Sequence, residues 1–110
     1  MKLPNHNLAY VAPSKLMDYL LSESHPSGQS KAKFFRLIGF DTSSLDQLRE
    51  GLLQIVHEQE ITQIITSPHG IKYVIEGPLE TPRGRIVHLK TIWIIDAGHE
   101  TPRFVTAYPR

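Results

Sequence analysis

One turn signature occurs twice within eighteen residues, as Ser67-Pro68-His69-Gly70 and Thr81-Pro82-Arg83-Gly84, and it constrains the fold more than any other feature of the chain. In a three-residue hairpin loop, proline presets the first turn position and glycine takes the left-handed residue that closes it. On that reading Ser67 faces Ile71, and Thr81 faces Arg85. Because side chains alternate between the two faces of a strand, these pairings assign every residue of three strands to a side. The flanking segments, roughly 60–67, 71–77, 85–95 and 103–108, are rich in β-branched residues at period two. Four strands joined by short loops read as an antiparallel meander.

The first half of the chain has helical spacing instead. Leu16, Met17, Leu20 and Leu21 form a short apolar stripe, and a second helix from Ser30 carries Phe34, Phe35, Leu37 and Ile38 before Gly39 ends it. In a third, Ser44 and Gln47 have capping-box spacing. Leu45, Leu48, Leu52, Ile55 and Val56 follow at intervals of three and four, to a stop near Gln59. The expected class is α+β, with N-terminal helices packed on one face of a four-stranded antiparallel sheet. A chain of 110 residues is expected to form a single domain over 1–110.

The register sorts the strands into an apolar and a polar face. Ile61, Ile65, Ile71, Tyr73, Ile75, Leu89, Thr91 and Trp93 share one side. Pairing Ile95 with Arg103 adds Val105 and Ala107 to it. The other side holds a row across all four strands, Thr62, Glu76, Lys90 and Tyr108, with Lys72, His88, Thr66 and Thr106 nearby. Two readings of that row stand at this point. Glu76 opposite Lys90 is an ordinary cross-strand pair on a wet face. Yet Ile64, Val74, Ile92, Ile94 and Phe104 share the face, which suits the floor of a cleft.

A second irregularity lies at the start of the second helix. Helix dipoles favour acidic side chains in a first turn, and here Lys31 and Lys33 stand there instead, just after His25-Pro26-Ser27-Gly28. The two lysines either point to water or, with free backbone N–H groups, attract a phosphate.

Composition narrows the function classes. The net charge is +1, so contact with nucleic acid would have to use a local patch. No apolar run approaches the roughly 20 residues that span a bilayer, and the first residues lack the apolar core of a signal peptide. With no cysteine, disulfides and thiolate metal sites are excluded. The spacing of His6, His57, His69 and His99 matches no metal motif, and no dinucleotide or nucleotide-binding loop occurs. No metal, no cofactor and no membrane association are expected. A cytoplasmic location fits, as does delivery into another cell's cytoplasm.

Three stretches carry a family resemblance. They are Lys15-Leu16-Met17-Asp18-Tyr19-Leu20-Leu21, then His25-Pro26-x-Gly28-x-Ser30-Lys31-Ala32-x-Phe34-Phe35 with Gly39-Phe40, and Thr91-Ile92-Trp93 leading to Pro102-Arg103-Phe104-Val105-Thr106-Ala107-Tyr108-Pro109. Together they resemble an uncharacterised bacterial family of small stand-alone proteins and toxin C-terminal domains. The end motif is similar to that of the barnase, EndoU, colicin and RelE-like ribonuclease toxins. That resemblance implies helices before a four-stranded sheet, a metal-independent ribonuclease, and a cognate antitoxin or immunity protein. It singles out His25, Lys31, Arg103, Thr106 and Tyr108, although strict alternation sets Arg103 on the face opposite Thr106 and Tyr108. The chemistry needs a base, an acid and phosphate-binding cations. His25 or His88 suits the proton transfers, with Glu76 a further base. Lys31, Lys33, Lys72, Lys90 and Arg103 suit the phosphate, oriented by Thr106 and Tyr108. Three outcomes stay open: an RNA-cleaving toxin, a non-catalytic protein-binding module, and a hydrolase that a chelator silences.

Overall fold

The computed structural model describes residues 1–17 and 29–110, the side chains of 29–32 excepted. A 3-10 turn at His6–Leu8 and the single helical turn α1 (Pro13–Lys15) precede α2 (Gln29–Leu37). A second 3-10 turn, Thr42–Ser44, leads into α3 (Leu45–Glu58). Then come β1 (Ile61–Ser67), β2 (Gly70–Glu80), β3 (Ile86–Asp96) and β4 (Arg103–Pro109), antiparallel in the order β1-β2-β3-β4. This is the expected α+β class. The apolar stripe of the first expected helix lies largely outside the described residues, with Leu16 buried and Met17 exposed at its start.

α3 follows the periodicity read from the sequence and buries Leu48, Leu52, Ile55 and Val56. Each such burial is worth about 1.5–3 kcal/mol relative to exposure. Its approach to β2 depends on two glycines. A Cβ on Gly51 would overlap the Leu79 side chain, and one on Gly77 would stand 3.0 Å from Ile55 Cγ2. The cap differs from expectation. Asp41 and Ser44, rather than Ser44 and Gln47, form the capping box, with Asp41 Oδ1 accepting from the Ser43 N–H at 2.8 Å. Asp41 wins because its carboxylate reaches the N–H groups of the 3-10 turn that precedes α3.

Beneath the helices lie Tyr73, Ile75, Leu79, Leu89, Trp93, Phe104 and Ala107 from the sheet, with Phe35 and Phe40 above and Leu3, Val11 and Leu16 from the N-terminal segment. That segment ties both ends of the sheet. The Ile61 N–H donates to the Met1 carbonyl at 2.8 Å, and the Phe104 N–H donates to that of Tyr10 at 3.0 Å.

The second hairpin has the register expected. Glu80 opposes Ile86, the Thr81 N–H donates to the Arg85 carbonyl at 2.8 Å, and Gly84 takes the left-handed conformation at φ 80°. Pairing of Tyr73 with Trp93 and Glu76 with Lys90 follows.

Two other registers are corrected. Ser67 faces Gly70, not Ile71, across a two-residue loop. Gly70 serves β3 rather than the turn: it opposes Asp96, and a Cβ there would overlap the Ile95 carbonyl. The slip sets Ile65 opposite Lys72 and Ile64 opposite Tyr73, which exchanges their expected faces and moves Thr66 to the side of Ile71. A bulge at Thr62 restores Ile61 to the core side, opposite Ile75, and the Thr62 hydroxyl donates to the Val74 carbonyl at 3.1 Å. Thr62 therefore leaves the polar row.

The second correction is a bulge at Val105. Thr106 opposes Ile92, but Phe104 rather than Val105 opposes Trp93, and their rings pack edge to face at 5.3 Å. The larger apolar area of the aromatic side chain goes inside, and Val105 is left as the extra residue.

Candidate functional site

β3 runs through the middle of the polar face, and its alternation positions the groups. Along it, His88, Lys90, Ile92, Ile94 and Asp96 share the side away from α3, while Leu89, Thr91 and Trp93 are fully buried under the helices. That alternation is pinned inside. The Trp93 Nε1–H donates to Thr91 Oγ1 at 2.8 Å, and the Thr91 hydroxyl donates to the Ile75 carbonyl at 2.6 Å.

Glu76, Lys90 and Tyr108 stand directly opposite one another across β2, β3 and β4, so three strands of the expected row hold. The Glu76–Lys90 ion pair does not form. Instead Arg110 Nε binds Glu76 Oε1 at 2.7 Å, and the Arg110 N–H donates to the His88 carbonyl at 3.1 Å. The Glu76 side chain is 22% exposed and so remains reachable, while Lys90 carries its charge beside it with no ion partner among the described residues. Arg110 was absent from the sequence-based candidates, yet alternation from Tyr108 puts it on this face.

The Val105 bulge resolves the difficulty over Arg103. With one extra residue between them, Arg103 opposes Ile94 and joins the face of Thr106 and Tyr108. Its guanidinium grips Asp96 at 2.7 and 3.0 Å. Those hydrogen bonds hold the Asp96 carboxyl below, and the Arg103 guanidinium above, their ordinary pKa values.

Between the Glu76–Lys90–Tyr108 row and the Asp96–Arg103 pair lies an apolar floor, with Val74 and Ile94 buried and Ile92 half-buried. Lys72, opposite Ile94, borders it. Thr106 Oγ1 is shielded from solvent and has no partner among the described residues, so it is not open to a phosphate in this arrangement. His88 is exposed, opposite Pro78.

Of the remaining candidates only Lys33 has a described side chain, and it is not brought onto this face. His25 and the Lys31 side chain lie outside the described residues. Lys33 is exposed on α2, whose Phe35 enters the core on the other side of the sheet. A cavity of about 140 Å³ beside α3 is lined by Gln54, Ile55, Glu58, Gln59, Pro78, Glu80 and Ile86. Its carboxylates and amides offer no cation to a phosphate, so the sheet face is the better candidate. Among the described residues no three His, Cys, Asp or Glu side chains group as metal ligands. No helix among them is long and apolar enough to cross a membrane.

Comparison with known proteins gives a fold neighbour and a family. The structure is similar to a chain of a contact-dependent growth inhibition toxin–immunity protein complex from Klebsiella pneumoniae 342, with a TM-score of 0.73 and 20% identity over 96% of each chain. At that identity the likeness is one of fold. No curated protein matches the sequence. Residues 2–110 match the family described as Domain of unknown function (DUF6883), and the chain belongs to that family.

Proposed function

We propose that this protein is the toxin of a toxin–immunity pair and that it cleaves RNA with side chains of the polar sheet face, without a metal. The observation that carries the reading is the row Glu76, Lys90 and Tyr108 across three strands, with His88 two residues from Lys90 on the same face. Ionisable groups of both signs thus flank one surface. The fold shared with a chain of a toxin–immunity complex supports the biological setting.

In the proposed reaction Glu76 takes the proton of a ribose 2′-hydroxyl, and the resulting oxyanion attacks the adjacent phosphorus. His88, in its protonated form, gives a proton to the departing 5′-oxygen. Lys90, with Lys72 at the far side of the floor, offsets the charge that develops on the phosphate oxygens, and Tyr108 orients them. The products are a 2′,3′-cyclic phosphate and a free 5′-hydroxyl. Arg110 holds the Glu76 carboxylate in place.

Induction in bacteria should slow growth and leave RNA ends carrying cyclic phosphate, and purified protein should cleave in EDTA. Glu76→Gln, His88→Ala and Tyr108→Phe should each lower cleavage by roughly 10²-fold or more. A second reading has a specific observation behind it: Arg110–Glu76 and Arg103–Asp96 already pair much of the face's charge, which suits a protein-binding surface of an immunity or antitoxin partner. Harmless induction together with intact total RNA and tRNA would select that second reading.

A further inference from the structure

Two histidines that the sequence keeps 51 residues apart meet on the helix side of the molecule. His6, in the first 3-10 turn, and His57, in the last turn of α3, place their Nδ1 atoms 3.2 Å apart. Their rings are inclined at 63°, with centroids 5.4 Å apart, and both residues are half-buried. In the metal-free chain one ring donates its Nδ1–H to the other. Two imidazole nitrogens bound at about 2.0–2.1 Å to one tetrahedral cation stand about 3.3 Å apart, so the observed spacing is already that of a chelate.

The geometry points to a divalent transition-metal site at His6 and His57, taking a cation of borderline softness such as Zn²⁺ or Cu²⁺. Both rings bind through Nδ1 in their neutral form. The proton on the Nδ1 that donates to the other ring leaves for Nε2 or for solvent as the metal takes its place. Water fills the remaining positions, because no third His, Cys, Asp or Glu groups with the pair among the described residues. His57 also borders a groove lined by Glu50, Leu53, Gln54 and Glu58. The carboxylates raise the local concentration of a cation, and the groove gives it a solvent path to that ring. The site acts as a clip. It joins the N-terminal segment, which caps β4 through Tyr10, to α3. It lies on the opposite side of the sheet from the Glu76–Lys90–Tyr108 row, so it stands or falls independently of the ribonuclease reading.

The test is calorimetric titration of the tag-free full chain with ZnCl₂ at neutral pH, with thermal melts in parallel. Uptake of one equivalent and a raised melting temperature are expected. His6→Ala and His57→Ala should each weaken binding by about tenfold or more, whereas His99→Ala, on an exposed turn, should leave it unchanged. Circular dichroism confirms that each variant folds. Electron paramagnetic resonance of the Cu²⁺ form of the unmodified chain reads the ligands directly and should show two imidazole nitrogens. Absence of saturable uptake, uptake that survives both substitutions, or a copper spectrum without two nitrogens would overturn the site.

Discussion

Thr91→Val isolates the interaction that fixes the alternation of β3. The two side chains have nearly the same shape, and both suit a strand, so packing and propensity are held constant. What changes is one hydroxyl that accepts from Trp93 Nε1–H at 2.8 Å and donates to the Ile75 carbonyl at 2.6 Å, between residues that are fully buried. Stranding the indole N–H costs about 1–3 kcal/mol, and the second hydrogen bond contributes about 0.5–1.5 kcal/mol. A buried methyl in place of the hydroxyl returns about 0.8 kcal/mol. The net destabilisation is therefore about 2 kcal/mol, or a fall in melting temperature of about 8 °C for a domain of this size. Thr91→Ser keeps the hydroxyl and loses a methyl, at about 1 kcal/mol. Urea unfolding followed by circular dichroism measures all three proteins. The cost of Thr91→Val should also shrink by about 1 kcal/mol or more in a Trp93→Phe background, where no indole N–H is left unpaired. A Thr91→Val protein as stable as the parent, or a serine variant weaker than the valine one, would refute this account of the relay.

Three further outcomes are expected. Phe104→Ala should cost about 3–5 kcal/mol in denaturant unfolding and Val105→Ala far less, because the bulge sends the aromatic ring inward; the reverse order would mean that β4 pairs without a bulge. Gly70→Ala should cost about 2–4 kcal/mol, since its φ of 152° and the adjoining Ile95 carbonyl leave no room for a Cβ; hydrogen exchange should show the loss at the β2–β3 end. Asp96, with its pKa depressed by Arg103, adds stability that is present above the unfolded carboxyl value near 3.8 and is lost as pH falls through the lower folded value. The stability difference between the parent and Asp96→Asn, measured by urea at several pH values, should accordingly be constant from neutrality to about pH 5 and shrink below about pH 4.

The amphipathic period of α3 and the β-branched alternation of β2 and β3 are local properties, and they were legible because burial of one face needs only that spacing. The second hairpin was legible too, since Pro82 and Gly84 have the conformations that a three-residue loop demands. The same motif misled at Pro68 and Gly70, where the glycine answers a neighbour rather than its own turn. The row Glu76, Lys90 and Tyr108 could be written from the sequence because β2, β3 and the end of β4 pair without interruption. Arg110 was within reach of the same counting.

What the chain determines by itself, then, is where period 3.6 gives way to period two and which residues of the central strands lie back to back, because these follow from backbone geometry and the cost of exposing apolar area. Only the tertiary structure decided whether Phe104 or Val105 turns inward, since that choice depends on the space beside Trp93. It alone returned Arg103 to the face of Tyr108, moved the cap to Asp41 and gave Glu76 to Arg110. It alone brought His6 to His57, because contacts between residues so far apart in the chain are set by how the layers pack.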